Sequence, residues 1–346
     1  MRKNTFCLKI ASLLLAFSQF TVSGQTPAND AHWQLVWEDN FNTLNTSIWN
    51  VRDNFDHWGE IQVFLARNTY IENGNLVLEL KHETYSCPAW ASMYPDYHCV
   101  REARTKQPYL YTAGTVESKP PYNTRYGYIE ARIKFPYHYF LWPTFWTALG
   151  DEVINGTNAA EIDIAEMLGE TGPNVIQTNV HQNYTNDISR RLDLKPDGYQ
   201  WTDWHTYGIE WSPTRITWYL DGTAIRTLTD HGMIDPVKLI LAIGVRPDID
   251  WRGNPGFNFP YKMYTDYVKV YSLKKDCSND LNVCNYWFPS YDNKIKKSIT
   301  IGNGSCTNTV LAGQNIIMRA SEGILINGDF TVQTGAELYL DASPCN

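Results

Sequence analysis

The sequence predicts an all-β protein: a β-sandwich followed by a small C-terminal β module. Three observations carry this. Hairpin signals recur: Ile216-Thr217-Trp218-Tyr219-Leu220 runs into Asp221-Gly222 and then Ala224-Ile225-Arg226, and Leu76–Leu80 follows Asn73-Gly74-Asn75. Helical periodicity is weak throughout, so the strands do not alternate with helices as a parallel α/β fold requires. Aromatics make up 14% of the chain, with 13 Trp and 22 Tyr, residue types that suit pleated, half-buried surfaces. Most of them are expected in the core, a minority along a cleft.

Taken in order, residues 1–24 read as a secretory signal: Arg2 and Lys3 are a basic start, Ile10 to Phe20 is mostly apolar, and Val22-Ser23-Gly24 ends it with small residues. The run is too short for a membrane span and no second one follows, so no membrane partner is expected after cleavage. Residues 25–274 read as the sandwich and 275–298 as a linker rich in Cys, aromatic and polar residues. In 299–346 short apolar pairs such as Ile299-Thr300-Ile301, Ile316-Ile317-Met318 and Ile324-Leu325-Ile326 alternate with Gly and Asn, as in a stack of short strands. Phe330 and Tyr339 are the only aromatics beyond 299, which favours spacing or sorting over sugar binding.

Cys7 leaves with the signal, and six cysteines remain. An even count in an exported chain favours disulfides, and no C-x-x-C spacing suggests zinc. Fifteen pairings are open to six thiols. Pairing sequence neighbours gives Cys87–Cys99, Cys277–Cys284 and Cys306–Cys345, the last tying a module near the lower size limit for independent folding. Lys+Arg number 29 against 37 Asp+Glu, a formal charge of −8, with no basic run that would grip phosphates. Nucleic acid is therefore not an expected partner, and the chain is expected to be a monomer.

The richest segment is Glu161-Ile162-Asp163-Ile164-Ala165-Glu166. At strand period, Glu161 and Asp163 share one face while Ile162 and Ile164 point into a core. Glu166 has the wrong parity, and one extra residue bulged out near Ala165 restores it. Clustered carboxylates with separated pKa values suit retaining glycoside hydrolysis, in which one carboxylate attacks and a second, protonated, donates; the two stand ~5–5.5 Å apart. Four strand steps cover roughly 13 Å at about 3.3 Å each, so the acids must lean inward across a concave, bent sheet.

The chain resembles glycoside hydrolase family 16, in the branch whose catalytic strand carries E-x-D-x-x-E. Trp142-Pro143-Thr144-Phe145-Trp146, Tyr126–Lys134 (YGYIEARIK) and Asp266-Tyr267-Val268-Lys269-Val270-Tyr271 resemble three further segments of that family, so the likeness runs over roughly residues 33–273. It implies a jelly roll of two curved antiparallel sheets with a cleft on the concave face. It also implies Glu161 as nucleophile, Asp163 as assisting acid and Glu166 as acid/base. No cofactor is implied for catalysis.

The same resemblance sets Trp142 and Trp146 along the cleft. Trp58-Gly59-Glu60-Ile61-Gln62 resembles a segment ending in E-x-Q, which offers Trp58 and Gln62 to the substrate. His181, on the strand after the catalytic one, is expected beside Glu166. Gly74 and Asp266 match positions that hold a structural calcium ion in the family.

The run Asn254-Pro255-Gly256 through Asp266 resembles bacterial endo-β-1,3-glucanases, the laminarinases. The stretch Gly244–Arg252 departs from their loop. It places Arg246 and Trp251 as substrate contacts, with Arg246 and Arg252 suited to sulfate or an anionic sugar as in marine galactan hydrolases. The expected partner is thus a polysaccharide outside the cell, at its surface or in a bacterial periplasm. Laminarin or mixed-linkage glucan leads, galactan is the alternative, and transglycosylation or binding without catalysis are the remaining readings.

Overall fold

The structure, a computed structural model, describes residues 33–57, 60–89, 99, 102, 105, 107–149, 161–182, 188–229, 231–246, 258–286, 291–302 and 304–342. Residues 1–24, expected to be a signal, and the Trp251 and Arg252 stretch lie outside the described residues. Among the described residues no helix is long and apolar enough to cross a membrane.

Strands fill most of the described residues. The first nine are β1 (Trp33–Asp39), β2 (Trp49–Val51), β3 (Gln62–Phe64), β4 (Thr69–Glu72), β5 (Asn75–Tyr85), β6 (Tyr109–Ala113), β7 (Thr115–Ser118), β8 (Gly127–Lys134) and β9 (Leu141–Leu149). The next nine are β10 (Glu161–Glu166), β11 (Ile176–Gln182), β12 (Ile188–Ser189), β13 (Leu192–Leu194), β14 (His205–Trp211), β15 (Arg215–Leu220), β16 (Thr223–Thr229), β17 (Val237–Val245) and β18 (Tyr261–Leu273). Six more follow: β19 (Leu281–Val283), β20 (Tyr291–Ile301), β21 (Thr307–Val310), β22 (Asn315–Ile326), β23 (Asp329–Val332) and β24 (Glu337–Ala342).

The first eighteen make two facing sheets. One runs β16-β15-β14-β8-β18-β5-β6-β3, with β1 on β18 and β4 on β5; the other runs β12-β11-β10-β9-β17-β7-β2, with β13 on β11. Pairing is antiparallel except between β3 and β6, which run parallel, a departure from the purely antiparallel expectation. The two hairpins read from sequence form. Asn73-Gly74 and Asp221-Gly222 are two-residue turns with positive φ at both positions (53° and 73°; 48° and 76°), the geometry that matches strand twist. Apolar side chains of both sheets close on one core, in which Trp49, Trp201, Trp211 and Trp218 are at most 1% exposed.

The last six strands form a stack whose strands run parallel: β19-β20-β22-β24 in one layer and β21-β23 in another. Tyr291 lies opposite Asn315, and Asn315 opposite Glu337, so one turn of chain stacks on the next. Val283, Ile299, Ile301, Val310, Ile316 and Met318 fill its interior. This moves the linker boundary. β19 and most of β20 fall within 275–298, whose polar composition hid strands that are paired through backbone hydrogen bonds.

Disulfides divide the same way. Cys87–Cys99 forms as expected and ties the 86–107 insertion. Cys284 pairs with Cys306, not Cys277, and Cys306 therefore not with Cys345. Stacking sets Cys284, at the end of β19, beside Cys306, at the start of β21, though 22 residues separate them. Cys277 is itself disulfide-bonded, and Cys345 lies outside the described residues.

Candidate active site

β10 lies inside the second sheet, between β11 and β9. Asp163 pairs with Asn179 of β11, yet Glu166 pairs with Gln177, so three steps on β10 match two on β11. Against β9 the shift lies between Asp163 and Ala165. One extra residue is therefore accommodated at the Ile164-Ala165 step, and it turns Glu166 back onto the face of Glu161 and Asp163. A bulge breaks the local ladder, and Trp218 of the opposite sheet helps compensate: its indole N–H donates to the Asp163 carbonyl at 2.9 Å. Ile162 and Ile164 are buried in the core behind the strand, as their parity requires.

The three carboxylates open onto a cavity of about 350 Å³, whose wall also contains Trp142, Thr144 and Trp146 of β9 and Ala242 and Gly244 of β17. Trp142 Nε1 donates to Glu166 Oε1 at 2.6 Å. Burial raises the Glu166 carboxyl to about 8, the Asp163 and Glu161 charges add to the rise, and the Trp142 hydrogen bond opposes it. Glu166 thus holds its proton at neutral pH. His181 faces Glu161 across the β10–β11 ladder. Its Nε2 is 3.6 Å from Glu161 and 3.5 Å from Asp163, with the Asn179 amide nitrogen at 2.9 Å. The β10–β11 ladder sets Gln177 opposite Glu166, so His181 directly faces Glu161, and its charge also acts on the Glu166 carboxyl beside which it was expected.

Other expected contacts fare differently. Gln62 is fully buried and its Oε1 accepts the Val245 backbone N–H at 3.2 Å, so it pins β3 to β17 instead of reaching the substrate. Arg246 pairs with Glu170 at 2.8 Å and lies over the Trp142 ring at 5.7 Å, bracing the tryptophan that holds Glu166. Trp58 lies outside the described residues. Asp266 pairs with Arg132 at 2.7 Å. The calcium expectation takes a backbone carbonyl at Gly74 and the Asp266 carboxylate, and in this structure that carboxylate is engaged by Arg132. Among the described residues the one cluster of metal-ligating type is Glu161, Asp163 and His181, in the cavity itself.

Two cavity residues escaped the sequence reading. His57 meets Trp146 edge-on at 5.6 Å, and Glu60 lines the same wall. Both arrive on a loop before β3, and the E-x-Q pattern pointed to its Gln instead of its Glu. Burial and the Asp56 charge raise the Glu60 carboxyl to about 8, against hydrogen bonds from the His57 backbone and the Gln62 amide. Between the ordinary 4.5 and about 8 the folded chain binds this proton more tightly than the unfolded one, so stability falls as pH rises through that window. Glu60→Gln removes the dependence. Its Tm is expected to exceed the parent's by roughly 3–8 °C at pH 9 and to match it at about pH 4, which thermal melts at the two pH values check.

Comparisons with known proteins agree with this geometry. The family model described as glycosyl hydrolases family 16 matches residues 59–269. Glucan endo-1,3-β-glucosidase A1 of Niallia circulans is 27% identical over 289 residues, 73% of this chain and 40% of that protein. The κ-carrageenase of Pseudoalteromonas carrageenovora is 26% identical over 330 residues, 85% of this chain and 73% of that one. The laminarinase catalytic domain of Thermotoga maritima superposes with a TM-score of 0.57 at 27% identity, covering 70% of this chain and 99% of that domain. The chain spans 37–40% of the length of the first curated relatives it matches.

Proposed function

The chain belongs to family 16 of the glycosyl hydrolases, and on that premise we propose that it is an exported, endo-acting, retaining glycosidase of β-1,3- or mixed-linkage glucan. The observation that carries the proposal is the bulge in β10, which gathers Glu161, Asp163 and Glu166 on one cavity wall. Glu161 is the proposed nucleophile. Its carboxylate bonds to the anomeric carbon while Glu166 gives its proton to the departing glycosidic oxygen; water, deprotonated by Glu166, then releases the sugar and restores both groups. Trp142 occupies Glu166 Oε1, which leaves Oε2 to carry the proton. Asp163 and His181 flank Glu161 and hold its orientation.

Attack and protonation both come from these side chains, so the reaction calls for no cofactor. A calcium ion at Gly74 and Asp266 is not part of the proposal, because Arg132 already balances Asp266. Export is supported by the Cys87–Cys99 and Cys284–Cys306 disulfides, which persist in oxidising compartments.

Galactan is the second reading, favoured by the κ-carrageenase likeness. Against it, Arg246 is engaged by Glu170. Reducing-end release from laminarin, barley glucan, agarose, porphyran and carrageenan, with product sizes and proton NMR of the first product, decides. The expected result is endo products from a glucan with retained configuration. An inverted first product removes double displacement, and chain-length redistribution without net hydrolysis means transglycosylation.

Trp142→Phe keeps the ring and deletes the donor. The lost hydrogen bond lowers kcat/KM by about 10–100-fold. The same bond holds the Glu166 carboxyl down, so its loss moves the alkaline limb of the pH profile upward. A pH series on both proteins checks the two effects together.

A further inference from the structure

The first sheet and the C-terminal stack enclose an open crevice of about 670 Å³, larger than the catalytic cavity. None of the strands lining it belongs to the sheet that carries the carboxylates. On the jelly-roll side its wall carries three half-buried aromatics, Trp33 and Trp37 of β1 and Tyr126 ahead of β8, backed by Trp211 at the end of β14, which is itself buried in the core. Arg319 of β22 lines the opposite side, and the two bodies are tied nearby by the Thr214 hydroxyl donating to Asn315 Oδ1 at 2.9 Å.

One feature marks this wall as more than a seam. Tyr126 is held at φ +61°, a region that bulky residues seldom enter and that persists only where the surroundings impose it. The next residue must be glycine, because a Cβ at Gly127 would stand 2.3 Å from the Tyr271 carbonyl oxygen. This kink seats the Tyr126 ring edge-on against Trp211 at 5.0 Å, with the Arg125 guanidinium over it at 5.0 Å.

We propose that the crevice is a second glycan-binding site, remote from the catalytic cavity, that retains the polysaccharide chain on which the enzyme acts. The ligand class follows from the lining. The half-buried rings of Trp33 and Trp37 match the apolar faces of sugar rings, and polar groups set beside them, the Gln34 amide, the Arg125 and Arg319 guanidinium groups and the Asp341 carboxylate, match ring hydroxyls. The C-terminal stack has few aromatics of its own, and in this arrangement it borrows them from the jelly roll. The inference rests on the proposed function for the identity of the polymer but not for the site.

The test uses the full chain carrying Glu161→Gln, alone and combined with Trp33→Ala or with Arg319→Ala, in native affinity electrophoresis through laminarin and through κ-carrageenan. Each second substitution is expected to weaken retention about tenfold in whichever polymer the parent binds, which also identifies the polymer. In the otherwise unaltered enzyme, Trp33→Ala should leave kcat/KM on a short oligosaccharide of that linkage unchanged. Retention equal to the parent's in both double variants, or a parent that binds neither polymer, overturns the proposal. The two substitutions lie on opposite walls, and melts confirm that each variant is folded. A Glu161→Gln protein that still hydrolyses polymer would sink the catalytic reading while leaving the retention result standing.

Discussion

Glu161→Gln lowers kcat/KM on the polysaccharide by on the order of 10⁴-fold or more, while the polymer still binds. The amide is nearly isosteric with the carboxylate but cannot form the glycosyl ester, so the loss falls on kcat and not on KM. Glu161 carries no core load: its side chain faces the cavity, whereas Ile162 behind it is fully buried. Tm should therefore change little. Initial rates and a binding isotherm on the same preparation separate the two effects. Substantial residual hydrolysis would show that Glu161 is not the attacking group.

Glu166→Gln removes the proton donor. The cost is about 10²–10⁴-fold on a polymer, whose leaving group is a poorly acidic sugar hydroxyl, and much smaller on an aryl glycoside that leaves without protonation. The pH profile gives a second reading. The acid must be protonated at the start of the cycle, and burial beside Asp163 and Glu161 raises it to about 8. Wild-type kcat/KM should therefore hold through neutral pH and decline as pH rises past about 8. In Glu166→Gln that decline disappears, because no ionisation remains to cause it. An equal loss on both substrate types would assign Glu166 a role other than acid catalysis.

The site was legible where chemistry and period coincide on one strand. Glu161, Asp163 and Glu166 lie within six residues, and the parity mismatch at Glu166 by itself called for the bulge that the β10 ladders contain. The hairpins at Asn73-Gly74 and Asp221-Gly222 were legible for the same reason, since a two-residue turn is a local event with its own residue requirements. His57 and Glu60 were not legible. They reach the cavity on a loop about a hundred residues upstream of β10, and nothing in His or Glu alone tells a cavity wall from a surface. Gln62 failed in the opposite direction. Its motif placed it on the substrate, but the fold uses its amide to cross-link two strands.

From its order of residues alone, this chain determined a β architecture, a curved sheet and a trio of acids on its hollow face, because strand alternation and turn chemistry act between near neighbours. Tertiary structure alone decided which donors meet those acids, that Trp142 grips Glu166 and His181 stands by Glu161, and that Cys284 bonds Cys306. It also decided that the terminal stack lies against an aromatic wall. Each of these joins residues far apart in sequence, and only the closure of two sheets and the stacking of successive turns brings them within bonding distance.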